Sequence, residues 1–435
     1  MKRLWWLSVC LCSVVMSVFL FSTAALGAVS NPIVSGTQYT VSTLPTTGKI
    51  TAFNKLLEIS YPKNNTLVDS NKNAAVDQSV YFTVFLPSGG SPDYQKYTLV
   101  SNIYKITTAA QTYLLEPGQI KISYDTNVSS AVASQLAVWY SPSITVAGNT
   151  YKWDGTNNIN LGGVTDSKKC TVTAPLQLSG TGTGYYGVFL AQQAFSEFNS
   201  QSNQYSWAYS CVMPLWAKGI VEPLPVGGTA GVFGVANDVY RLEFATMLVR
   251  GLGLTLTTKP SSAAEQIFED TFSGTDFYQA TPEDISSSYF GATYSAASGY
   301  KIYDTDRMPV QYAETAARNG IVVGYLNGSS QYVFKPGDRL TREEAAVILA
   351  RVSNLKLSDD GEKVITDLEK VFEDAASISP WAAPSVLAVQ KAALIAGKPG
   401  SDPASKKLLF DPSGNLTRAE ATALVYRFLK KQKKI

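Results

Sequence analysis

The sequence predicts an α+β multidomain chain, in which an N-terminal antiparallel β-sandwich region precedes an all-helical module of three repeats. Three observations carry this expectation. Short runs rich in Val, Ile, Thr and Tyr, separated by turn residues, fill residues 48–192. Helical periodicity replaces them from about residue 193. Residues 28–240 contain no arginine, whereas nine follow from Arg241 to Arg427, a composition shift that marks two regions with different tasks.

The chain opens on a targeting pattern. Lys2 and Arg3 precede an apolar run from Leu4 to Phe21 and then the small residues STAALGA. This reads as a secretory signal over residues 1–27, cleaved after Gly27 or Ala28. A retained membrane anchor is the alternative, but the run is of borderline length and no basic stop-transfer cluster follows it. No membrane span is expected after cleavage. Cys10 and Cys12 fall in this segment without a convincing lipoprotein cleavage site.

Loss of Lys2 and Arg3 leaves 34 basic against 34 acidic residues. A chain this close to neutral gives no bulk electrostatic reason to bind nucleic acid or a membrane surface. Histidine is absent altogether. That removes Ser-His-Asp and Cys-His catalysis, His-ligated zinc and His proton shuttles, and leaves only carboxylate chemistry open. Two cysteines remain, Cys170 and Cys211. One disulfide between them is possible, but two unpaired small apolar residues are the simpler expectation.

Residues 28–47 are rich in Ser, Thr, Gly and Pro and read as a linker. The strand signals are SVYFTVFL, KYTLVSNIYKI, GQIKISY, QLAVWY, NTYKW, CTVTAPLQL and GYYGVFL, punctuated by PSGGSPD, EPG and DGTNN. Short strands at this spacing suggest an antiparallel, Ig-like sandwich over 48–192. The stretch 136–190 admits a second small β unit.

Beyond it, YRLEFATMLVRGLGL, TREEAAVILARVSNL and TRAEATALVYRFLKK share one pattern. An Arg opens each helix, a Glu follows two positions later, then an apolar stripe, then a second Arg nine positions after the first. At about 100° per residue the second Arg lies opposite the first, near the C-terminus that the helix dipole favours for a cation. Arg250, Arg351 and Arg427 are therefore expected to make helix-end or inter-repeat contacts. Each helix has an upstream companion: WAYSCVMPLWAKGIVE, VQYAETAARNGIVVGY and WAAPSVLAVQKAALIAGK. Their turns at Gly219, Gly320 and Ala393 precede the first Arg by 22, 22 and 25 residues. FSEFNSQSNQYSWA, IFEDTF and VFEDAASISPWA come before them, with Phe198 to Trp207 and Phe372 to Trp381 both nine apart. The repeats are 193–254, 266–357 with an insertion at 271–308, and 371–435.

The elements VFEDAASISPWAA, NGIVVGY, YVFKPGDRLTREEAAVILAR and LLFDPSGNLTRAEATALVYR resemble the S-layer homology repeat, and the resemblance covers about 193–435. It implies a pseudo-threefold helical module on a secreted bacterial surface protein. It also implies non-covalent binding of secondary cell-wall polysaccharide, often pyruvylated, in grooves between lobes. Carried over by position, the ligand residues are Arg241, Arg342 and Arg418.

The residues themselves support a cap and leave the arginine to be explained. Thr341 with Glu344, and Thr417 with Glu420, form capping boxes. In the first repeat Tyr240 replaces the Thr before Glu243, and Asp238 is the substitute cap. An Arg beside free helix N–H groups makes sense if an anion binds there, and a pyruvate ketal carboxylate suits a planar guanidinium. The competing reading pairs each Arg with Glu243, Glu344, Glu420 or acids of another repeat. Trp207 and Trp381 have a sugar-stacking reading and a packing reading, and core or groove wall is the expected role. The second repeat loses its WA pair to the insertion, and ALIAGK replaces GI-x-x-G in the third. The tail KKQKKI meets anionic wall polymer in one reading and is a solvated helix end in the other.

Other motifs carry less. DSNKNAAVD places Asp69, Asn71 and Asn73 at EF-hand positions, but Ala74 and Val80 replace the required Gly and Glu, so an Asx-rich turn is expected. GTGTGYYG leads into a strand and is no phosphate cradle. No catalytic residue, metal or cofactor is expected. The sequence therefore points to a wall-anchored protein displaying a β domain. Two alternatives stand beside it: an anchored polysaccharide-acting enzyme, and a structural subunit that self-assembles into a surface layer.

Overall fold

A computed structural model describes residues 34–435 except 88–96, 110–111, 148–149, 154–157, 177–182, 193–194, 199–203, 223–232, 258–264, 272–308, 329–330 and 402–404. The signal expectation at 1–27 and all of the insertion after Thr271 lie outside the described residues.

Strict alternation builds the β region. In Val80–Phe85 the side chains of Val80, Phe82 and Val84 are buried, while Tyr81, Thr83 and Phe85 take the other face. Gly118–Ser123 likewise turns Ile120 and Ile122 inward. A seven-stranded antiparallel sheet runs Gln38–Val41, Val80–Phe85, Ile103–Thr108, Thr183–Ala191, Leu136–Ser141, Ile159–Gly162, with Tyr97–Leu99 also paired to Thr183–Ala191. A five-stranded sheet runs Val164–Asp166, Thr171–Leu176, Gly118–Ser123, Leu57–Ser60, Lys49–Ala52. The inner faces share one core, in which Phe82, Val84, Tyr104, Ile106 and Val188 meet Leu57, Ile59, Ile120, Ile122 and Val172. Each such side chain, fully buried, contributes about 1.5–3 kcal/mol.

Two sequence expectations need correction here. The stretch read as a linker, 28–47, contains the edge strand Gln38–Val41, which pairs in register with Val80–Thr83, and Leu44 enters the core. Ser/Thr-rich composition hid a strand that pairs with residues some forty positions on. The stretch 136–190 is not a second unit, because its strands join both sheets through Thr183–Ala191 and Thr171–Leu176. Among the described residues of this stretch, the hairpin Thr145–Ala147 with Thr150–Lys152 stands apart from them. Cys170 and Cys211 are both free.

The helical region contains α1 (Tyr209–Ala217), α2 (Arg241–Leu252), α3 (Pro309–Arg318), α4 (Arg342–Val352), α5 (Gly361–Glu369), α6 (Ala383–Lys391) and α7 (Arg418–Lys431). The companions α1, α3 and α6 end in turns where Gly219 and Gly320 have φ of 68° and Ala393 has φ of 54°. The three positions read as equivalent from spacing thus share a left-handed conformation, costly only for the alanine. The capping boxes at Thr341 and Thr417 are formed as expected, each Thr accepting from its Glu N–H and each Glu accepting from its Thr N–H. Tyr240 makes no side-chain cap. Asp238 does not replace it; its carboxylate pairs with Arg339 at 3.3 Å and accepts from Asn415.

Helix α5 falls in 358–370, between the repeats as read from sequence. It starts on an Asp360 cap and buries only Val364 and Leu368, too few apolar positions to announce a helix. The first repeat also has a different register from the one its Phe-to-Trp spacing suggested. Phe195, Phe268 and Phe372 are the equivalent core residues, all essentially buried, and Phe198 is not among them.

Residues 33–435 form one unit, and α1 joins the two regions. The Asn160 amide donates to Ala217 O at 2.8 Å, and Tyr97 stacks on Trp216 at 5.1 Å. Lys218 is buried with its ammonium donating to Leu136 O at 2.9 Å and Gly163 O at 2.6 Å.

Candidate functional site

The three arginines that open α2, α4 and α7 meet at junctions between repeats, in a closed order. Two residues before each of them, Val239 N–H donates to Leu416 O, Leu416 N–H to Leu340 O and Leu340 N–H to Val239 O, at 2.8–3.0 Å. This ring of three backbone bonds is buried. Each arginine then reaches the next repeat. Arg241 Nε donates to Phe334 O at 3.0 Å, Arg342 Nε to Phe410 O at 2.7 Å and Arg418 Nε to Phe233 O at 2.9 Å. The guanidinium carbons lie 4.5–5.6 Å from the ring centroids of the same three phenylalanines.

The carboxylate partners obey the same rule. Arg241 pairs with Glu344 at 3.3 Å, Arg342 with Glu420 at 3.3 Å, and Arg418 with Glu243. In the second and third repeats the glutamate does two things. Oε2 caps its own helix, accepting from Thr341 N–H or Thr417 N–H, while Oε1 takes the arginine of the preceding repeat. Behind the phenylalanine, an acid of the Phe-x-Asp/Glu element holds the strand. Asp270 accepts from Phe334 and Lys335 N–H, Asp374 from Phe410 and Asp411 N–H, and Glu197 from Phe233, Gly234 and Val235 N–H.

This geometry corrects the idea of free helix N–H groups waiting for an anion. The first N–H of each helix is already bonded across the junction: Arg241 N to Asp338 O, Arg342 N to Gly414 O, Arg418 N to Asn237 O. The second N–H is bonded as well, Leu242 to Pro336 O, Glu343 to Pro412 O and Ala419 to Val235 O. A neighbouring loop therefore satisfies the donors that an anion would use. The arginine is tolerated in the first turn because backbone carbonyls and a glutamate surround its charge.

The junctions differ in exposure and charge. Side-chain exposure is 7% for Arg241, 5% for Arg342 and 1% for Arg418. Burial pushes the Arg418 guanidinium down to about 9, against the pull of Glu197 and Glu222, so it stays protonated at neutral pH. Burial lowers Arg342 too, opposed by Glu420, Asp411 and Asp374. At the first junction Tyr325 donates to Glu344 and its ring centroid lies 4.5 Å from the Arg241 guanidinium. At the second, Arg342 Nη2 donates to Ala396 O at 3.0 Å, and Lys398 lies 2.7 Å from Asp411 and 3.7 Å from Glu420. At the third, Arg418 Nη2 donates to Glu222 O at 2.8 Å, and the Glu222 carboxylate pairs with Arg250 at 2.8 Å.

Arg250 also bonds Tyr312 of the second repeat, the inter-repeat role expected of it. Arg427 donates to Leu394 O within the third repeat, and Arg351 is exposed. The two tryptophans are not core: Trp207 and Trp381 are 45% and 58% exposed. Ala208 and Ala382, the next residues, are buried in their place, so it is the alanine of each WA pair that packs. Asp69 Oδ1 accepts from Asn71 and Asn73 N–H at 2.8–2.9 Å, as an Asx turn does, and no metal-binding cluster is present among the described residues. No helix of the described residues is long and apolar enough to cross a membrane. Sequence reasoning missed Tyr325 and Lys398, and it picked out the recurring Phe-x-Asp elements before the companion helices without giving their carboxylates a role.

The S-layer homology domain family matches residues 303–346 and 371–422. The chain is 26% identical over 353 residues to an amylopullulanase of Thermoanaerobacterium thermosulfurigenes, an alignment covering 80% of this chain and 15% of that protein. It is 29% identical over 112 residues to the S-layer protein sap of Bacillus anthracis, covering 26% and 12%. It is 30% identical over 131 residues to a cellulosome-anchoring protein of Acetivibrio thermocellus, covering 30% and 27%. The chain thus spans about a quarter or less of each of these relatives.

Proposed function

Given that this chain carries S-layer homology domains and is a cell-wall-associated surface protein, we propose that its three helical repeats form a pseudo-threefold module that holds an Ig-like β region on the wall by binding secondary cell-wall polysaccharide. The observation that carries this reading is the closed set of Arg–Glu junctions, Arg241–Glu344, Arg342–Glu420 and Arg418–Glu243. It fastens the three inter-repeat junctions, each built around a buried arginine. The ligand is an acidic glycan, such as one bearing pyruvate ketals. Its carboxylate meets the rim of the Arg342 and Arg241 clusters, and the exposed indoles of Trp381 and Trp207 offer faces on which a sugar stacks. Arg418, with 1% of its side chain exposed, acts chiefly by closing the ring. Engagement of more than one groove multiplies retention without any new contact.

In this reading the β region is displayed and is not an enzyme. The absence of histidine and of a nucleophile motif supports that, and hydrolysis of wall or plant glycans by the chain would contradict it. Self-assembly into a surface layer is the second reading, favoured by the relatives named as S-layer proteins, and lattices in negative-stain images of the chain would establish it. The anchoring claim is tested by co-sedimentation of the full chain with bacterial wall sacculi before and after acid extraction of the secondary polymer. Binding lost on extraction supports the proposal. Binding that survives extraction, or no binding to either preparation, contradicts it.

A further inference from the structure

The C-terminal ends of α2, α4 and α7 share one backbone motif but not one chemistry. Three positions past their second arginine, α2 and α4 reach a left-handed residue, Gly253 with φ of 68° and Asn354 with φ of 49°. The N–H of each bonds the carbonyl of that arginine, Arg250 or Arg351. The next residue, Leu254 or Leu355, bonds one carbonyl further back and packs against the core. In α7 the corresponding position past Arg427 is Lys430, and the helix runs on to Lys431. It closes by the same pair of bonds, Lys433 N–H to Lys430 O and Lys434 N–H to Leu429 O, with φ of 54° at Lys433. The third repeat thus gains a turn, and its cap pair is Lys433-Lys434 where the others have Gly253-Leu254 and Asn354-Leu355.

Capping accounts for glycine or asparagine at the left-handed position and for an apolar residue after it. It does not account for lysine at either place, and Lys433 bears the strain of a left-handed L-residue. The added turn buries nothing: Lys430, Lys431, Gln432, Lys433 and Lys434 are all exposed. With Arg427, also exposed, they put five cations into residues 427–434 with no acid among them. Part of this charge tidies helix ends. Arg427 donates to Leu394 O at 3.5 Å, Lys431 to Ala392 O at 2.9 Å and Lys434 to Leu252 O at 3.4 Å. Lys430 lies 5.4 Å from the centroid of the Tyr426 ring. Among the described residues no carboxylate pairs with any of the five, whereas Lys391, just before Ala392, is paired with Asp367 at 2.9 Å. An ammonium has three N–H donors, so one carbonyl leaves each lysine able to take an anion.

We propose that this lysine turn, residues 430–434, is a separate docking surface for a linear phosphodiester polymer of the poly(glycerol phosphate) kind, held by charge. Arg427 stands three and four positions before Lys430 and Lys431, as Lys430 does before Lys433 and Lys434, so these cations repel one another on the helix. A line of phosphates relieves that repulsion and releases its own counterions. The ammonium is a compact point charge on a flexible stem, without the planar fork that reads a single carboxylate, so the surface senses density of charge and not shape. The turn offers no exposed apolar side chain to a bilayer, because Tyr426 and Ile435 pack against the core. The charge is local, in a chain of 36 basic and 34 acidic residues. It lies at helix C-termini, whereas Arg241, Arg342 and Arg418 open their helices, so the contact does not depend on the junctions.

The test is fluorescence anisotropy of labelled poly(glycerol phosphate) titrated with the full chain at several salt concentrations. The wild-type chain is expected to bind, less tightly as salt rises. The combined variant Lys430→Gln, Lys431→Gln, Lys433→Gln, Lys434→Gln, with an unchanged circular dichroism spectrum, should bind at least tenfold more weakly. Its log–log salt dependence should be flatter by about 3, at roughly 0.7 per phosphate on a flexible polyanion. Replacing four exposed lysines elsewhere, Lys55→Gln, Lys63→Gln, Lys168→Gln and Lys356→Gln, removes the same charge and should leave binding within twofold. Lys433→Gly separates ligand from cap: it should melt at a higher temperature, since glycine accepts the left-handed conformation, and still bind about twofold more weakly. No binding by the wild-type chain, an equal loss in the two fourfold variants, or a Lys433→Gly chain that melts higher with undiminished binding overturns the proposal. Tighter binding to vesicles of phosphatidylglycerol and phosphatidylcholine at matched phosphate overturns it too, by assigning the surface to lipid. No ketal-bearing glycan enters these measurements, so their failure and the failure of the anchoring reading are distinguishable.

Discussion

Arg342 of the second repeat and Glu420 of the third are bonded at 3.3 Å through Glu420 Oε1, while the other carboxylate oxygen of Glu420 accepts from Thr417 N–H at 3.0 Å. One glutamate thus starts its own helix and fastens its neighbour, so neither the cap nor the junction is independent of the other. Removing one partner of a buried pair strands the other and costs about 3–5 kcal/mol. Arg342→Ala is expected to fall in that range. A double-mutant cycle of Arg342→Ala with Glu420→Ala should return a coupling of about 1–3 kcal/mol, measured by urea unfolding. Additive effects would mean that the pair holds nothing.

The tryptophans separate stability from binding. Trp381 is 58% exposed, so Trp381→Ala should move the unfolding free energy by less than about 1 kcal/mol. The same variant should bind sacculi several-fold more weakly if the indole stacks on sugar. Unchanged retention on the wall would remove Trp381 from the proposed site.

Ala393 holds a φ of 54° at the turn where Gly219 and Gly320 hold 68°. An L-residue is penalised there and glycine is not. Ala393→Gly is expected to stabilise the chain by roughly 0.5–1 kcal/mol, read as a higher melting temperature. A lower one would show that the methyl group packs better than the backbone is strained.

Lys218 joins the β region to α1 through two carbonyls, and no carboxylate pairs with it among the described residues. Burial pushes its ammonium down to about 7 from an ordinary 10.5. Between these values the unfolded chain binds the extra proton, so this group's contribution should grow as pH rises from about 7 towards 10.5 and be least below 7. Lys218→Met should flatten that part of the stability–pH curve. A slope that survives the substitution would place its origin elsewhere.

Much of the module was legible because it is periodic. The nine-residue Arg spacing, the Thr-Glu caps and the Gly219, Gly320, Ala393 turns mark equivalent places, and their backbone conformations agree. What was not legible is who pairs with whom. Arg241 meets Glu344 across 103 residues, Arg342 meets Glu420 across 78, and Arg418 meets Phe233 across 185. Local periodicity has nothing to say about contacts at that range. The same blindness left the helix N–H groups looking vacant, although loops of the next repeat bond them. In the β region, alternation announced Val80–Phe85 and Gly118–Ser123, but Gln38–Val41 becomes a strand only because Val80–Thr83 offers it an edge. The glutamate in place of aspartate at Glu197 displaced the first repeat's register, since the chemistry it preserves, a carboxylate accepting backbone N–H groups, is invisible to spacing.

The measurement that bears most directly on the central claim is calorimetric titration of the full chain with purified secondary wall polysaccharide, in native form and after mild acid has removed its ketal-linked carboxylates. Saturable binding to the native polymer that falls at least tenfold on removal of the carboxylates is the result expected. Equal affinity for both polymers, or none for either, would contradict recognition of an acidic glycan at the Arg–Glu junctions.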